Sequence, residues 1–119
     1  MIYHITSRKA WEEAQANGEY RADSLTTEGF IHCSTFEQVL PVAHNFYKGQ
    51  GGLIVLGIEP SLLSSDLKWE APAGGGPPPG VPVGDQFPHI YGPINLSAVL
   101  KVVDLESKSD GTFTLSSDQ

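Results

Sequence analysis

Three of the four histidines in this chain lie in short segments rich in aromatic and β-branched residues, an unusual setting for this side chain. They are His4, His32 and His89. Histidine carries two ring nitrogens that need partners, and it titrates near neutral pH, so it fills the interior of a strand poorly. Three such placements in one small chain predict strands that converge on a polar pocket.

The residues beside these histidines indicate what the pocket could hold. Because side chains alternate in direction along a strand, each histidine shares its face with residues two positions away. Aromatic rings and hydroxyls at those positions suit a planar ligand whose polar edge bonds to the imidazoles. We therefore predict that the three histidines line one cavity, with Phe30, Ser34 and Tyr91 beside them as ligand-binding residues and Thr35 as a further hydroxyl partner of the ligand. The alternative is that each histidine is structural, with its nitrogens satisfied by backbone carbonyls.

Glu70 is the carboxylate most suited to join this site. It ends an apolar segment, directly after Trp69, and a carboxylate in that position can have a raised pKa or accept bonds from ligand hydroxyls. An exposed charge at a strand end is the alternative. With Glu70 the predicted catalytic set is complete: His4, His32, His89 and Glu70. These residue types could also bind zinc, but no H-x-x-x-H or C-x-x-C spacing is present, so we predict no metal site and keep a metal-dependent enzyme only as an alternative function.

Two further reactive side chains are predicted to be structural. His44 lies at the margin of a helical apolar stripe, which favours a surface or packing role. Cys33 directly follows His32, so the two side chains should point to opposite faces and cannot form a nucleophilic pair. No G-x-S-x-G motif is present to indicate a serine hydrolase.

Composition narrows the class of protein. The chain has 119 residues, of which 39% are hydrophobic, which fits one domain. Its net charge is −7 and its basic residues are scattered, so we predict no nucleic-acid partner. There is no apolar run of the roughly 20 residues that span a bilayer, no leader pattern and only one cysteine, so we predict a cytoplasmic protein without a membrane partner. The oligomeric state stays open.

The elements that must position the site read as α+β, with about six short strands and two main helices. Strands are expected at residues 2–6, 30–34, 53–58, 67–71, 87–94 and 98–105. Helices are expected at about 7–17, ending at Gly18, and at about 36–47, after a capping-box pair formed by Thr35 and Gln38. Pro41 should kink or separate the first turn of the second helix, and Pro88 and Pro93 should confine their strand to an edge.

Two segments are predicted to be irregular. In residues 72–84, ten of thirteen positions are glycine or proline, which predicts a mobile surface loop that could act as a lid. Residues 107–119 lack a sustained apolar pattern and are predicted to be a C-terminal tail, which Phe113 and Leu115 could anchor. The single domain is therefore placed at residues 1–106.

Taken in order, several segments resemble a known family. They are Ile2-Tyr3-His4-Ile5, the block from Gly29 to Thr35 with Gln38 and Ala43 behind it, Leu67-Lys68-Trp69-Glu70, and Phe87-Pro88-His89-Ile90-Tyr91-Gly92-Pro93-Ile94. These segments look like the small bacterial family catalogued as domain of unknown function 952 (DUF952), and the resemblance covers about residues 1–105. That family is similar in fold to the ADP-ribosyltransferases.

The resemblance implies a split, strongly bent sheet with a cleft for nicotinamide or ADP-ribose. His4 occupies the place of the first-strand histidine that holds the ribose of NAD, and His32 or Ser34 would face the cleft. Where those transferases carry a late-strand glutamate, this chain has His89, with Glu70 upstream. The expected function is a transferase-like enzyme acting on an NAD-derived or nucleotide ligand, with NAD as the cofactor that the resemblance suggests; a non-catalytic small-molecule binding or sensing domain is the alternative.

Overall fold

The computed structural model describes residues 1–73 and 76–116, and within them it has nine strands and three α-helices. The strands are β1 Ile2–Ser7, β2 Glu19–Tyr20, β3 Ile31–His32, β4 Leu53–Ile58, β5 Asp66–Glu70, β6 Phe87–Tyr91, β7 Ile94–Asn95, β8 Val99–Ser107 and β9 Phe113–Leu115. The helices are α1 Arg8–Asn17, α2 Ser24–Thr27 and α3 Phe36–Phe46. The α+β class is confirmed, with more and shorter strands than the sequence predicts.

The strands form three antiparallel sheets. The largest has the order β1-β4-β8-β9, the second has the order β3-β6-β5, and β2 pairs with β7 as a two-stranded ribbon. In the second sheet His32 lies opposite His89, and His89 lies opposite Lys68. Directly opposite residues share a sheet face, so this register places the two histidines side by side.

Strand β4 is the structural centre of the largest sheet, as its near-continuous apolar sequence predicts. It lies between β1 and β8, and all six of its residues are buried. Ile54, Leu56 and Ile58 pack in one hydrophobic cluster, which includes residues of α1 and of the second sheet. Leu53 and Val55 pack in another, with α3 and β9. The prediction of a strand buried on both faces is confirmed.

One backbone bridge joins the two larger sheets. Tyr3 and Ser34 exchange two hydrogen bonds of 2.8 and 2.7 Å between their N–H and C=O groups. Beyond this bridge the two segments separate, because β1 continues to Ser7 whereas the segment that contains Ser34 enters α3 at Phe36. The separation opens a gap along the edge of β1, and the candidate site lies there.

Both main helices begin at local capping signals, and α1 also ends at one. The Ser7 hydroxyl accepts a hydrogen bond from the backbone N–H of Ala10, and Gly18 closes α1 with a φ of 88°, a left-handed conformation that glycine adopts readily. At the start of α3 the Gln38 side chain accepts a bond of 3.0 Å from the Thr35 N–H. The first turn is not separate, because α3 runs without a break from Phe36 to Phe46 with Pro41 inside it. Pro41 has no N–H, so the Glu37 carbonyl lacks the bond that it would otherwise accept within the helix.

The position of Pro88 also differs from the prediction. Strand β6 is the central strand of its sheet and not an edge strand, and Pro88 is buried within it. The Pro88 carbonyl accepts a bond of 3.1 Å from the Cys33 N–H, which shows that this residue bonds towards the β3 side. Because β3 ends at His32, the missing proline N–H falls beyond the end of that strand and disrupts no ladder bond.

The described part of the predicted tail is not frayed, and Phe113 and Leu115 anchor it, as the sequence allowed. Strand β9 pairs with β8, and Phe113 is 2% exposed in the cluster that includes α3. The sequence hides this strand because it is only three residues long and follows a turn rich in polar residues. Residues 117–119 lie outside the described part of the chain.

The glycine- and proline-rich segment has no regular element in residues 72–73 and 76–84, as predicted, but contacts anchor it. Val81 is buried, and the Asn45 side chain donates a bond of 3.0 Å to the Pro79 carbonyl. Gly74 and Gly75 lie outside the described residues, and the mobility of this loop stays a prediction. No helix in the described part of the chain is long and apolar enough to cross a membrane.

Candidate functional site

A cavity of about 640 Å³ opens where β1 separates from the second sheet. Its wall comes from β1, from the segment between β2 and β3, from the C-terminal half of α3 and from β6. His4, His32 and His89 all lie on this wall, together with Ser34. The volume is that of an ordinary small-molecule site.

His4 lies in the wall with both of its ring nitrogens engaged. Nδ1 lies 2.6 Å from the backbone carbonyl oxygen of His32, and Nε2 lies 2.8 Å from the Tyr20 hydroxyl. That hydroxyl lies 2.8 Å from the Thr6 hydroxyl, which completes a buried chain of polar groups. His4 itself is 6% exposed.

The chemistry of this chain fixes the protonation of His4. A carbonyl oxygen can only accept, so Nδ1 carries a proton and donates it to His32. Burial lowers the pKa of His4 to about 4, which keeps the ring neutral and leaves Nε2 as an acceptor for the Tyr20 hydroxyl. Burial also raises the pKa of Tyr20 to about 12, so the phenol keeps its proton near neutral pH.

His89 is held differently, by a carboxylate. Its Nδ1 donates a bond of 2.7 Å to Oε1 of Glu70, and the Tyr91 hydroxyl donates a bond of 2.5 Å to the same oxygen. Hydrogen bonds from Tyr91 and then from His89 hold the pKa of Glu70 below its usual range, and the carboxylate in turn raises the pKa of Tyr91. The predicted rise in the pKa of Glu70 is wrong, because the hydrogen bonds from these two donors outweigh the effect of burial.

His32 has a carboxylate partner of its own. Its Nε2 lies 2.9 Å from Oε2 of Glu28, and its side chain is 45% exposed. The Phe30 ring stacks on His89 at 4.2 Å between centroids and also contacts His32 at 4.8 Å. Phe30 therefore fixes the two imidazoles on one face of the second sheet.

Each of these two histidines has one ring nitrogen without a protein partner among the described residues: Nδ1 of His32 and Nε2 of His89. His89 is only 3% exposed, yet within residues 1–73 and 76–116 no side-chain polar atom is both fully buried and unpaired. Nε2 of His89 is therefore accessible, and the cavity that this residue lines gives that access. Such a nitrogen can bind a ligand or accept a proton.

The arrangement does not favour a metal centre. In the part of the chain that the structure describes, no group of three or more histidine, cysteine, aspartate or glutamate side chains is placed to hold a metal ion. His4 in particular has no nitrogen left for coordination. The metal-dependent alternative therefore has no geometric support here.

The remaining predicted residues divide between the wall and its supports. Ser34 is buried and lines the cavity, whereas Thr35 precedes α3 as its N-cap. Phe30 stacks on His89, and Tyr91 donates a hydrogen bond to Glu70. Neither Phe30 nor Tyr91 belongs to the described part of the cavity lining. Their roles in ligand binding stay predictions.

Sequence reasoning missed two residues that shape the site, Tyr20 and Glu28. Tyr20 belongs to a two-residue strand, and no periodic pattern marks it. Glu28 follows the short helix α2 and reaches His32 through a turn, so its spacing of four residues does not come from a helix. The two structural expectations are confirmed: Cys33 is buried, which raises the pKa of its thiol, and His44 accepts a bond of 3.0 Å from the Phe113 N–H.

A family model described as "Protein of unknown function (DUF952)" matches residues 5–102. The chain belongs to this family. Both strands that present the unpaired imidazoles, β3 and β6, lie inside the matched range. No match was found among curated proteins.

Solved structures support the fold of this DUF952 chain. The crystal structure of protein CC0527 from Caulobacter crescentus, a structural genomics target, has a TM-score of 0.79 at 37% identity, and the match covers 95% of this chain and 92% of that one. The solution NMR structure of the same protein has a TM-score of 0.74 at 38% identity, covering 93% and 89%. At this identity and coverage the similarity extends to the sequence as well as the fold.

Proposed function

We propose that the cavity binds a small ribose-bearing molecule, either NAD-derived or another nucleotide, and that the domain acts on it. The observation that carries this proposal is the wall that places three histidines around one cavity of about 640 Å³. A planar ring can lie against the imidazoles, while hydroxyls of the ligand meet polar side chains such as Ser24 and Gln50 of the lining.

An ADP-ribosyltransferase-like fold is part of this proposal. The sequence resemblance supports it, and a sheet split beside the bridge between Tyr3 and Ser34 is compatible with the split sheet that the resemblance implies. The fold alone would not establish a reaction, because one fold hosts many functions. The site residues must therefore carry the functional argument.

The roles of the histidines follow from their free nitrogens. His4 has both nitrogens engaged, so we assign it a positioning role: it holds Tyr20 and the backbone of His32 in place. The ligand contacts then belong to His32 and His89. This division replaces a direct bond from His4 to a ribose hydroxyl.

A catalytic role is favoured by the pair formed by Glu70 and His89. The carboxylate accepts a hydrogen bond from the Nδ1–H group of His89. This bond orients the ring, and the negative charge stabilises the imidazolium that forms when Nε2 accepts a proton. Nε2 would take a proton from water or from a hydroxyl of a second substrate as that oxygen attacks the anomeric carbon of the ribose. The bond from that carbon to the nicotinamide nitrogen breaks in the same step, and nicotinamide leaves as a neutral molecule. A non-catalytic binding or sensing domain is the second candidate, since the same cavity would serve it.

Calorimetric titration with NAD, ADP-ribose and AMP tests the proposal. We expect saturable heat for at least one ligand, and weaker binding by about tenfold or more in His89→Phe, which removes the free nitrogen but keeps a ring. His44→Gln is the matched control, because His44 lies outside the described lining and glutamine retains an acceptor for the Phe113 N–H.

Product analysis of the same mixtures separates the two candidates. Release of nicotinamide from NAD that His89→Phe abolishes supports the enzyme, whereas binding without any product supports the binding domain. No heat from any of the three ligands at millimolar concentration contradicts the nucleotide proposal.

A further inference from the structure

The two cavity histidines outside the His4 network have the same unusual construction. Each imidazole donates one N–H to a carboxylate: His32 Nε2 to Glu28 at 2.9 Å, and His89 Nδ1 to Glu70 at 2.7 Å. A carboxylate can only accept a hydrogen bond, so in the neutral ring the nitrogen that faces the carboxylate carries the proton. The other nitrogen of each ring is then a lone-pair acceptor.

The register of the sheet places these two acceptors together. His32 and His89 are directly opposed on neighbouring strands, with ring centroids 5.7 Å apart and an interplanar angle of 74°. Both rings line the same cavity. Phe30 stacks on one face of the His89 ring, so a ligand cannot stack on that face.

The charge of the cavity lining also favours a ligand group that donates hydrogen bonds. The described lining includes the carboxylates Asp23 and Glu28, and its one basic side chain, Arg21, is paired with Glu19 at 2.6 Å. The chain as a whole carries a net charge of −7. An anionic group would meet lone pairs and negative charge here, whereas a neutral or cationic donor would be attracted.

We propose that His32 and His89 form a two-acceptor site for a planar group that carries N–H donors, such as a carboxamide, an amidine or the exocyclic amine of a base. The occupant of this part of the cavity is a donor group and not a carboxylate or phosphate. The inference rests on the proposed small-molecule function and narrows it, since any phosphate of the ligand must lie away from these two rings.

The donor preference has a physical basis in unpaired atoms. Nε2 of His89 lies in a residue that is 3% exposed, so a ligand that buries it without a donor leaves a desolvated acceptor. A carboxylate would add repulsion between its oxygens and the two lone pairs. An amide or amidine satisfies one or both nitrogens instead.

The test uses three probes that share one ring: benzamide, benzamidine and benzoate. Binding is followed by NMR on protein labelled with ¹⁵N, at a pH of about 8, where histidines with ordinary pKa values are neutral. Long-range ¹H–¹⁵N spectra report which ring nitrogen carries the proton. We expect the proton on Nδ1 of His89 and on Nε2 of His32.

We expect benzamide and benzamidine to shift the resonances of both rings, and benzoate to bind at least tenfold more weakly than benzamide. His89→Phe should abolish this discrimination, whereas His44→Gln should retain it. In Glu70→Gln the carboxylate no longer fixes the proton, so the preference for benzamide over benzoate should shrink several-fold.

Three outcomes overturn the inference: benzoate binding as tightly as benzamide, a proton on Nε2 of free His89, or no binding by any probe at millimolar concentration. The proposed function fails separately, because it depends on NAD, ADP-ribose and AMP. If a nucleotide binds while benzoate matches benzamide, the two-acceptor site is wrong and the small-molecule function stands.

Discussion

The two sides of the cavity use the same side chain for opposite purposes. On the β1 side, His4 is 6% exposed and both of its nitrogens have protein partners. On the side of the second sheet, His32 and His89 each give one nitrogen to a carboxylate and leave the other without a protein partner among residues 1–73 and 76–116. Burial does not separate the two sides, since His89 is as buried as His4 whereas the His32 side chain is 45% exposed; the number of free ring nitrogens does separate them.

This difference teaches how to assign histidines in a pocket of undetermined chemistry. A ring with two internal partners is a structural element, and its removal should disturb folding first. A ring with one carboxylate partner is oriented but still has bonding capacity, and its removal should disturb binding first. The comparison therefore makes separable predictions about stability and ligand binding.

The largest expected effect is on the stability of His4→Ala. Removing the ring leaves the His32 carbonyl and the Tyr20 hydroxyl without their partner and opens a small void, so we expect a loss of about 2–4 kcal/mol in the free energy of unfolding. His32→Ala removes a half-exposed ring, and its effect should stay within about 0.5 kcal/mol. Urea unfolding followed by circular dichroism measures both.

Tyr20→Phe is the control for this prediction, because it keeps the aromatic ring and removes only the hydroxyl between His4 and Thr6. It should be destabilised by an intermediate amount. Equal stability of His4→Ala and His32→Ala would contradict the division between the two sides of the cavity.

The second prediction concerns pH. The pKa of His4 falls from 6.5 to about 4 on folding, so between these values the unfolded chain binds more protons at this residue than the folded one. Stability from His4 is therefore complete above about pH 6.5, declines as the pH falls and is lost below about pH 4. The total change is up to about 3 kcal/mol.

Comparing wild type with His4→Gln isolates this contribution, since all other titrating groups are shared. The difference in unfolding free energy between the two proteins should shrink as the pH falls from 7 to 4. A difference that stays constant over this range would show that His4 titrates normally in the folded protein.

The elements that the sequence predicts best are those whose signals are local. Strand β4 follows from a continuous apolar run, and α1 follows from Ser7 at its start and Gly18 at its end. Local signals do not predict that Pro88 lies in the central strand of its sheet or that β9 pairs with β8. Each of these features depends on a partner strand that lies elsewhere in the chain. Local chemistry cannot report where a neighbouring strand stops.

The same limit applies to the site. Alternation along three short strands places His4, His32 and His89 on a common wall, and it also groups Phe30 with His32. It cannot tell which nitrogens are satisfied, because Tyr20 and Glu28 reach the histidines through turns with no periodic pattern. The functional division between the histidines is therefore visible only in three dimensions.

The smallest expected effect is on Tyr91 and checks whether the carboxylate beside His89 is ionised as described. Glu70 accepts bonds from both Tyr91 and His89, and the hydrogen bond from Tyr91 to this carboxylate, together with its negative charge, raises the pKa of the Tyr91 phenol above the usual value of 10.0. Glu70→Gln removes that charge, so the Tyr91 pKa should fall towards 10.0. Glu28→Gln removes a carboxylate that does not contact Tyr91, so it should leave this pKa unchanged. NMR titration of the tyrosine ring resonances at alkaline pH resolves Tyr91 from the other three tyrosines. If Glu70→Gln leaves the Tyr91 pKa unmoved, Glu70 does not hold this network as a carboxylate, and the orientation of His89 needs another cause.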